Sequence, residues 1–186
     1  MRIISGIFKS KKLLLPKDEN TRPLKDLVKE SIFNLILHSN KININIKDSL
    51  ILDLFSGSGS FGIECLSREA EKVIFFENYS EAIKVLEKNL KSLKNINNFE
   101  IIKKDCFDFF KSDQNINLKF DVVFMDPPYK ELKINQIIEQ IKEKKLLKKN
   151  GIVIIHRHKK DALKLTEKIN IIEERIYGVS KITYGI

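Results

Sequence analysis

The sequence predicts a doubly wound α/β fold with a mostly parallel sheet, and three observations carry that expectation. From residue 50 onward, short apolar runs alternate with helix-periodic segments, as successive βα units require. A glycine-rich stretch, Gly57, Gly59 and Gly62, joins the first apolar run to the first of those helices. The last two apolar runs are separated only by residues 178–180, which fits an antiparallel hairpin closing the sheet.

Taken in order, strands are expected at 50–55, 72–77, 99–104, 120–125, 151–157, 169–177 and 181–184, seven in all. Helices are expected at 60–68, 80–93, 106–111, 132–144 and 159–168, each with apolar residues at helical spacing. In the second of these, Ile83, Leu86, Leu90 and Leu93 make one face, and Ser80 followed by Glu81 marks the start. Before residue 48 the pattern changes. Segments 2–8 and 11–15 are expected to pair as a small hairpin, and 21–23 to turn. A helix over about 24–38 follows, with Leu27, Ile32, Leu35 and Ile36 on its apolar side, and 41–48 reads as a polar linker. The division is therefore 1–47, a hairpin-and-helix extension, and 48–186, the α/β core. In such folds ligands sit at the carboxyl ends of the strands, near the switch in strand order.

A chain of 186 residues suits one full-sized core. No run of eighteen apolar residues occurs, and residues 1–6 are too short for a secretory signal, so a cytoplasmic protein without a membrane span is expected. Cys65 and Cys106 lack metal-ligand spacing and read as reduced thiols, with no metal site. The net charge of +9 comes from 29 Lys and only 5 Arg, a mixture that AT-rich coding also produces. Its distribution says more: residues 1–47 hold 10 basic and 4 acidic side chains, +6 of the +9, as a phosphate-binding surface would. His156-Arg157-His158 reads as a solvated strand edge, and His38 as a residue at a helix end.

Chemistry concentrates in two places. Asp126-Pro127-Pro128-Tyr129 follows the apolar run 120–125. The Asp carboxylate and the Pro127 carbonyl can both accept hydrogen bonds from an exocyclic NH2, the prolines stiffen the backbone, and Tyr129 can stack on the ring bearing the amine. An ordinary strand-ending turn would use the same residues, but less economically. Upstream, Gly57, Gly59 and Gly62 spell G-x-G-x-x-G with Glu77 twenty residues after the first, a pattern shared by dinucleotide dehydrogenases. Three features favour S-adenosylmethionine instead. Asp53 precedes the glycines, where it suits an ammonium and would repel a pyrophosphate. Asp105 ends the third strand, placed with the Cys106 backbone N–H for an adenine. The tetrapeptide has no use in hydride transfer. Glu77 suits the ribose hydroxyls, and Phe55 joins Asp53, Gly57 and Gly59 along the cofactor loop.

These residues resemble the RsmD-type 16S rRNA (guanine-N2)-methyltransferase family, over nearly the whole chain. The resemblance rests on Arg2-Ile-Ile-Ser-Gly6, Thr21-Arg22-Pro23, Lys29-Glu30-Ser-Ile-Phe33-Asn34, the run from Leu52 to Glu64, Asp126–Tyr129 and the Tyr177-Gly178 pair. Ser5, Lys11-Lys12 and Lys29 depart from that pattern, where the family has Gly, Gly-Arg and Arg. The resemblance implies a Rossmann-like class I S-adenosylmethionine-dependent methyltransferase fold. It implies methylation of the N2 amine of a flipped or unpaired guanine in 16S rRNA, within an assembling or assembled small subunit, by a monomeric enzyme. Arg2, Lys9, Lys11, Lys12, Arg22 and Lys29 are then the expected RNA contacts. A DNA amino-methyltransferase shares the tetrapeptide but needs a target-recognition region larger than 47 residues. A protein-glutamine methyltransferase would more usually carry Asn at 126. A non-catalytic RNA-binding assembly factor on the same scaffold would have no need of Asp53, Glu77, Asp105 and Asp126.

Overall fold

A computed structural model describes residues 1–18, 23–111 and 118–186 of the chain. Seven strands form one sheet: β1 (Leu50–Leu54), β2 (Lys72–Phe76), β3 (Phe99–Ile102), β4 (Phe120–Met125), β5 (Leu147–His158), β6 (Ile171–Tyr177) and β7 (Ser180–Gly185). Their order is β3-β2-β1-β4-β5-β7-β6. Strands β1 to β5 pair in parallel, and β7 inserts antiparallel between β5 and β6. This is the Rossmann-like architecture with the closing hairpin that the alternation predicts. The chain direction across the sheet reverses between β1 and β4, which opens a crevice at their carboxyl ends.

Helices α1 (Asp26–His38), α2 (Ser60–Ser67) and α3 (Ser80–Lys91) cover one face. Helices α4 (Cys106–Lys111) and α5 (Ile134–Glu143) cover the other. The central strands are apolar except for Asp53 in β1 and Asp121 in β4, because both of their faces are covered. Gly62 lets α2 approach β2: a Cβ there would lie 2.3 Å from the Phe75 ring. None of the described helices is long and apolar enough to cross a membrane.

Three expectations are corrected. The N-terminal hairpin forms but is shorter than expected: Arg2 bridges Lys12, Ile3 exchanges backbone hydrogen bonds with Ser10 and Lys11, Leu13 N–H reaches the Met1 carbonyl, and beyond these the chain is pinned to the body. Ile7 N–H donates to the Ser67 carbonyl (2.8 Å), and Leu14 exchanges hydrogen bonds with the Asn89 amide (2.8 and 3.1 Å). The turn at 21–23 falls partly outside the described residues. The apolar stripe of α1 is Val28, Ile32, Phe33 and Ile36, while Leu27 is 67% exposed. Finally, residues 159–168 form turns and irregular chain rather than a helix. Their backbone groups are taken by side chains instead: Asp161 accepts from Leu163 N–H, and Asn135 holds both Thr166 N–H and the Lys164 carbonyl.

The segment before β1 shares one apolar cluster with α2, α3 and the sheet, Ile3, Leu13, Leu24 and Val28 included. A charged network within that contact explains the rotation of α1. Lys29 is 0% exposed, so it cannot meet an RNA phosphate, and the expectation for it is corrected. Its ammonium donates to the Arg2 carbonyl (2.7 Å) and the Ser60 hydroxyl (3.3 Å), and lies 3.6 Å from Glu64 Oε2. Burial pulls its pKa below the ordinary lysine value, with Glu64 opposing that shift. The Glu64 carboxylate, also fully buried, accepts from the Ile4 and Ser5 N–H groups (2.7 and 2.9 Å) and from Arg68 Nε (3.0 Å). An Arg68–Phe33–Phe61–Phe124 stack runs beside it, with guanidinium-to-ring and ring-to-ring spacings of 4.2, 5.2 and 4.0 Å.

Removing Glu64 leaves a buried ammonium without its counter-charge and two part-buried N–H groups without their acceptor. Glu64→Ala is expected to cost about 3–5 kcal/mol in urea unfolding. The Ile4 and Ser5 amides are expected to lose hydrogen-exchange protection in the same variant.

Candidate active site

One cleft of about 300 Å3 lies at the crevice between β1 and β4. Its walls bring together two motifs that stand far apart in sequence: Asp53, Phe55, Gly57 and Glu77 on one side, Asp126, Pro127, Pro128 and Tyr129 on the other. Pro23 and Leu24, just before α1, close it from the N-terminal side.

The glycine loop is built by backbone geometry. Phe55 leaves β1 with φ 59°, an uncommon conformation for a non-glycine residue. Gly59 takes φ 82°, and a Cβ there would also lie 2.4 Å from Leu86 on α3, so only glycine fits. Gly57 N–H donates to Glu77 Oε2 (2.7 Å), while Glu77 Oε1 accepts from the Asn78 and Tyr79 N–H groups (2.9 Å each). Glu77 is thereby fixed at the end of β2, beside the loop. Asp105, after β3, accepts from Phe107 N–H (2.8 Å) and from the Asn78 amide (3.1 Å). With Cys106 and Phe55 it lines a small recess next to the cleft. Burial pushes the Cys106 thiol up, away from thiolate formation.

Asp53 is the unusual member. It is 1% exposed, its Oδ2 accepts from Gly62 N–H (3.0 Å), and its Oδ1 is buried with no hydrogen-bond partner. Desolvation raises its pKa well above the ordinary 3.8, and the charges of Asp126 and Glu77 add to the rise. A carboxylate oxygen left unpaired in a cleft with two further carboxylates fits a cationic ligand and opposes a phosphate.

On the tetrapeptide side, Asp126 Oδ1 meets His156 Nδ1 at 2.8 Å, and His156 Nε2 meets the Ser180 hydroxyl at 2.8 Å. Arg157 donates to the Pro128 and Tyr129 carbonyls (3.2 and 3.1 Å) and pairs with Asp161. The Tyr129 ring stands edge-to-face against His158, centroids 5.0 Å apart. The solvated edge expected for 156–158 is thus corrected: His156 and Arg157 are 2% and 4% exposed. β5 is an interior strand, covered on both sides by β4 and β7. Its carboxyl end adjoins that of β4, and this adjacency was the available signal for both residues.

The expected RNA contacts fall elsewhere. Lys9 and Lys12 are exposed, Lys11 is half-buried with its ammonium on the Ser92 carbonyl, and Arg2 is exposed with its guanidinium 3.9 Å from Asp26. Arg22 lies outside the described residues. Among the described residues no cluster of His, Cys, Asp or Glu could hold a metal ion.

A family model described as conserved hypothetical protein 95 matches residues 1–186. The ribosomal RNA small subunit methyltransferase D of Haemophilus influenzae is 37% identical over 180 residues, covering 96% of this chain and 90% of that protein. The protein of the same name from Buchnera aphidicola, subspecies Acyrthosiphon pisum, is 32% identical over 94% of this chain and 86% of its own length. Among solved structures, a candidate methyltransferase from Escherichia coli superposes with a TM-score of 0.82 at 25% identity. The match covers 100% of this chain and 96% of that one.

The raised Asp53 pKa makes a stability statement. Above the unfolded value of 3.8 the native state binds more protons than the unfolded one, so this group lowers stability as pH rises. Asp53→Asn is therefore expected to raise the urea midpoint of the ligand-free chain at pH 7. The gain should vanish below that unfolded value, where both states carry a neutral group.

Proposed function

The chain belongs to the conserved hypothetical protein 95 family, and from that membership we propose that it is an S-adenosylmethionine-dependent rRNA methyltransferase. We assign its target as the N2 amine of a guanine in 16S rRNA, presented flipped or unpaired on an assembling or assembled small subunit. The observation that supports this best is the shared cleft: an unpaired buried carboxylate and the amine-accepting tetrapeptide face one space.

The residues present fit the cofactor. Asp53 Oδ1 would take its ammonium, Glu77 its ribose hydroxyls, and Asp105 with the Cys106 N–H its adenine, while Phe55, Gly57 and Gly59 give it close backbone approach. When bound, S-adenosylmethionine supplies an electrophilic methyl on a sulfonium. The remaining work belongs to the chain. Guanine N2 is a weak nucleophile because its lone pair is delocalised into the ring. Hydrogen bonds from the amine to Asp126 and the Pro127 carbonyl turn the nitrogen toward tetrahedral geometry and aim its lone pair at the glycine-loop side of the cleft. Alignment of this kind accounts for about 7–11 kcal/mol of barrier lowering, so no strong base is needed. Extruding the base costs a few kcal/mol, and stacking on Tyr129 returns about 1–3 kcal/mol.

Mass spectrometry of 16S rRNA digests from cells with and without the gene tests the assignment, which predicts that one N2-methylguanine disappears with the gene. In vitro, Asp126→Ala is expected to abolish methyl transfer with cofactor affinity within a few-fold. Tyr129→Ala should be severe and Tyr129→Phe mild, because the ring face stacks on the base; equal losses would assign the role to the hydroxyl instead.

Lys9 and Lys12 are exposed cations of the N-terminal segment, and they are assigned to rRNA phosphates. Changing both to Gln should flatten the log-affinity versus log-salt slope by about 0.7–0.9 for each phosphate no longer neutralised. Cofactor titration should be unmoved, and an unchanged salt slope would remove these lysines from the RNA surface.

A further inference from the structure

We infer that His156 and Arg157, neighbours at the carboxyl end of β5, are positioning residues that together set the amine-binding geometry of Asp126–Tyr129. The inference rests on the reading of that tetrapeptide as the acceptor site. The two side chains reach three of its four residues. His156 fixes the Asp126 carboxylate through Nδ1 (2.8 Å). Arg157 spans the Pro128 and Tyr129 carbonyls with two nitrogens (3.2 and 3.1 Å).

Each positioning group is itself held. A carboxylate only accepts hydrogen bonds, so the His156 proton facing Asp126 sits on Nδ1. In the singly protonated ring Nε2 then accepts the Ser180 O–H (2.8 Å), and the two contacts choose one tautomer between them. Ser180 is buried and starts β7, so the closing hairpin supplies this support. Arg157 has its charge balanced by Asp161, whose carboxylate is drawn below its ordinary pKa by Arg157 and the Leu163 N–H against a desolvation cost. That pairing occupies the chain where a helix was expected, so the irregular segment after β5 serves the acceptor site.

The geometry explains why two adjacent residues act together. In a strand, successive side chains point to opposite faces, so His156 and Arg157 approach the tetrapeptide from its two sides. His156 aims the carboxylate, and Arg157 holds the backbone on which the Pro127 carbonyl and the Tyr129 ring ride. A guanidinium can bridge two carbonyls and a carboxylate at once, whereas an ammonium is a single point of contact.

Two measurements on the full chain test this. The first is long-range nitrogen–proton NMR of the histidine side chains, with His156 identified by its loss in His156→Asn. A proton on Nδ1 is expected, and that preference should weaken in Asp126→Ala. An Nε2-protonated His156 in the unaltered chain would overturn the inference, whatever RNA the protein acts on. The second is steady-state kinetics with small subunits lacking the modification. His156→Phe should lower kcat about 100-fold, the cost of an ångström-scale misplacement, with KM for S-adenosylmethionine within a few-fold. His156→Asn, whose amide N–H replaces Nδ1–H, should recover to within about tenfold of the unaltered chain. Arg157→Lys should lower kcat and leave cofactor affinity alone. Equal activity of the Phe and Asn variants, or parallel loss of kcat, cofactor affinity and thermal stability, would show a structural role and overturn the inference. An unaltered chain that transfers no methyl to rRNA would sink the functional reading, while the tautomer measurement still decides the clamp.

Discussion

The register between β1 and β4 is the constraint from which the site follows. Leu54 pairs with Met125, and Asp126 N–H reaches the Leu54 carbonyl at 3.4 Å. That one pairing puts Phe55 beside Asp126, so the loop after β1 and the tetrapeptide after β4 leave the sheet together. A slip of one residue would move every side chain of β4 to the opposite face of the sheet, and because both faces are packed into core, such a slip would force both layers to repack. The packing of the two strands therefore sets the distance between the glycine loop and the tetrapeptide. The site inherits its accuracy from the centre of the core.

A second layer of order comes from the N-terminal segment. Buried charges rarely add net stability, since desolvation offsets their attraction. The Lys29–Glu64–Arg68 network makes sense as a register device. Glu64 sits on α2, four residues beyond the start of that helix, and grips the Ile4 and Ser5 backbone, while Lys29 on α1 reaches Ser60 at its first turn. The ions couple α1, the leading segment and the glycine loop, and the Phe33–Phe61–Phe124 stack carries the coupling to β4. Leu24, at the entry to α1, lines the cleft as a result.

Much of this was legible in the sequence, and the rest fails for identifiable reasons. Seven strands, the closing hairpin, the glycine loop and the tetrapeptide announce themselves through local pattern, because periodicity and turn chemistry are local properties. Lys29 does not: a lysine in an amphipathic helix reads as solvated, and only its long-range partner Glu64 makes burial tolerable. His156 and Arg157 fail likewise, since a polar end to a strand looks like an edge until β7 is placed outside it. The segment 159–168 has helical spacing, but Asp161 and Asn135 compete for the backbone. For Lys29, His156 and Asn135 the partner lies at least one strand or helix away, and composition cannot show it. Asp53 was legible as a carboxylate before the glycine loop, but not its unpaired oxygen, which depends on the walls of the cleft.

The charges of the site and of the surface then divide the substrate between them. Asp53, Glu77 and Asp126 make the cleft acidic, so a phosphate entering it meets like charge in a poorly solvated space, where repulsion is least screened. A cation and an uncharged base meet no such barrier. Under the proposed reading, the nucleic-acid backbone must therefore stay outside while a single base enters. The surface around Lys9 and Lys12 carries the opposite sign, and the body beyond residue 47 is nearly neutral, with +3 of the +9 charge. Backbone attraction outside and repulsion inside favour the same pose, a strand held along the N-terminal segment with one base turned inward. Asp53, whose burial makes its charge costly in the ligand-free fold, is also one of the groups that keep phosphates out of the cleft.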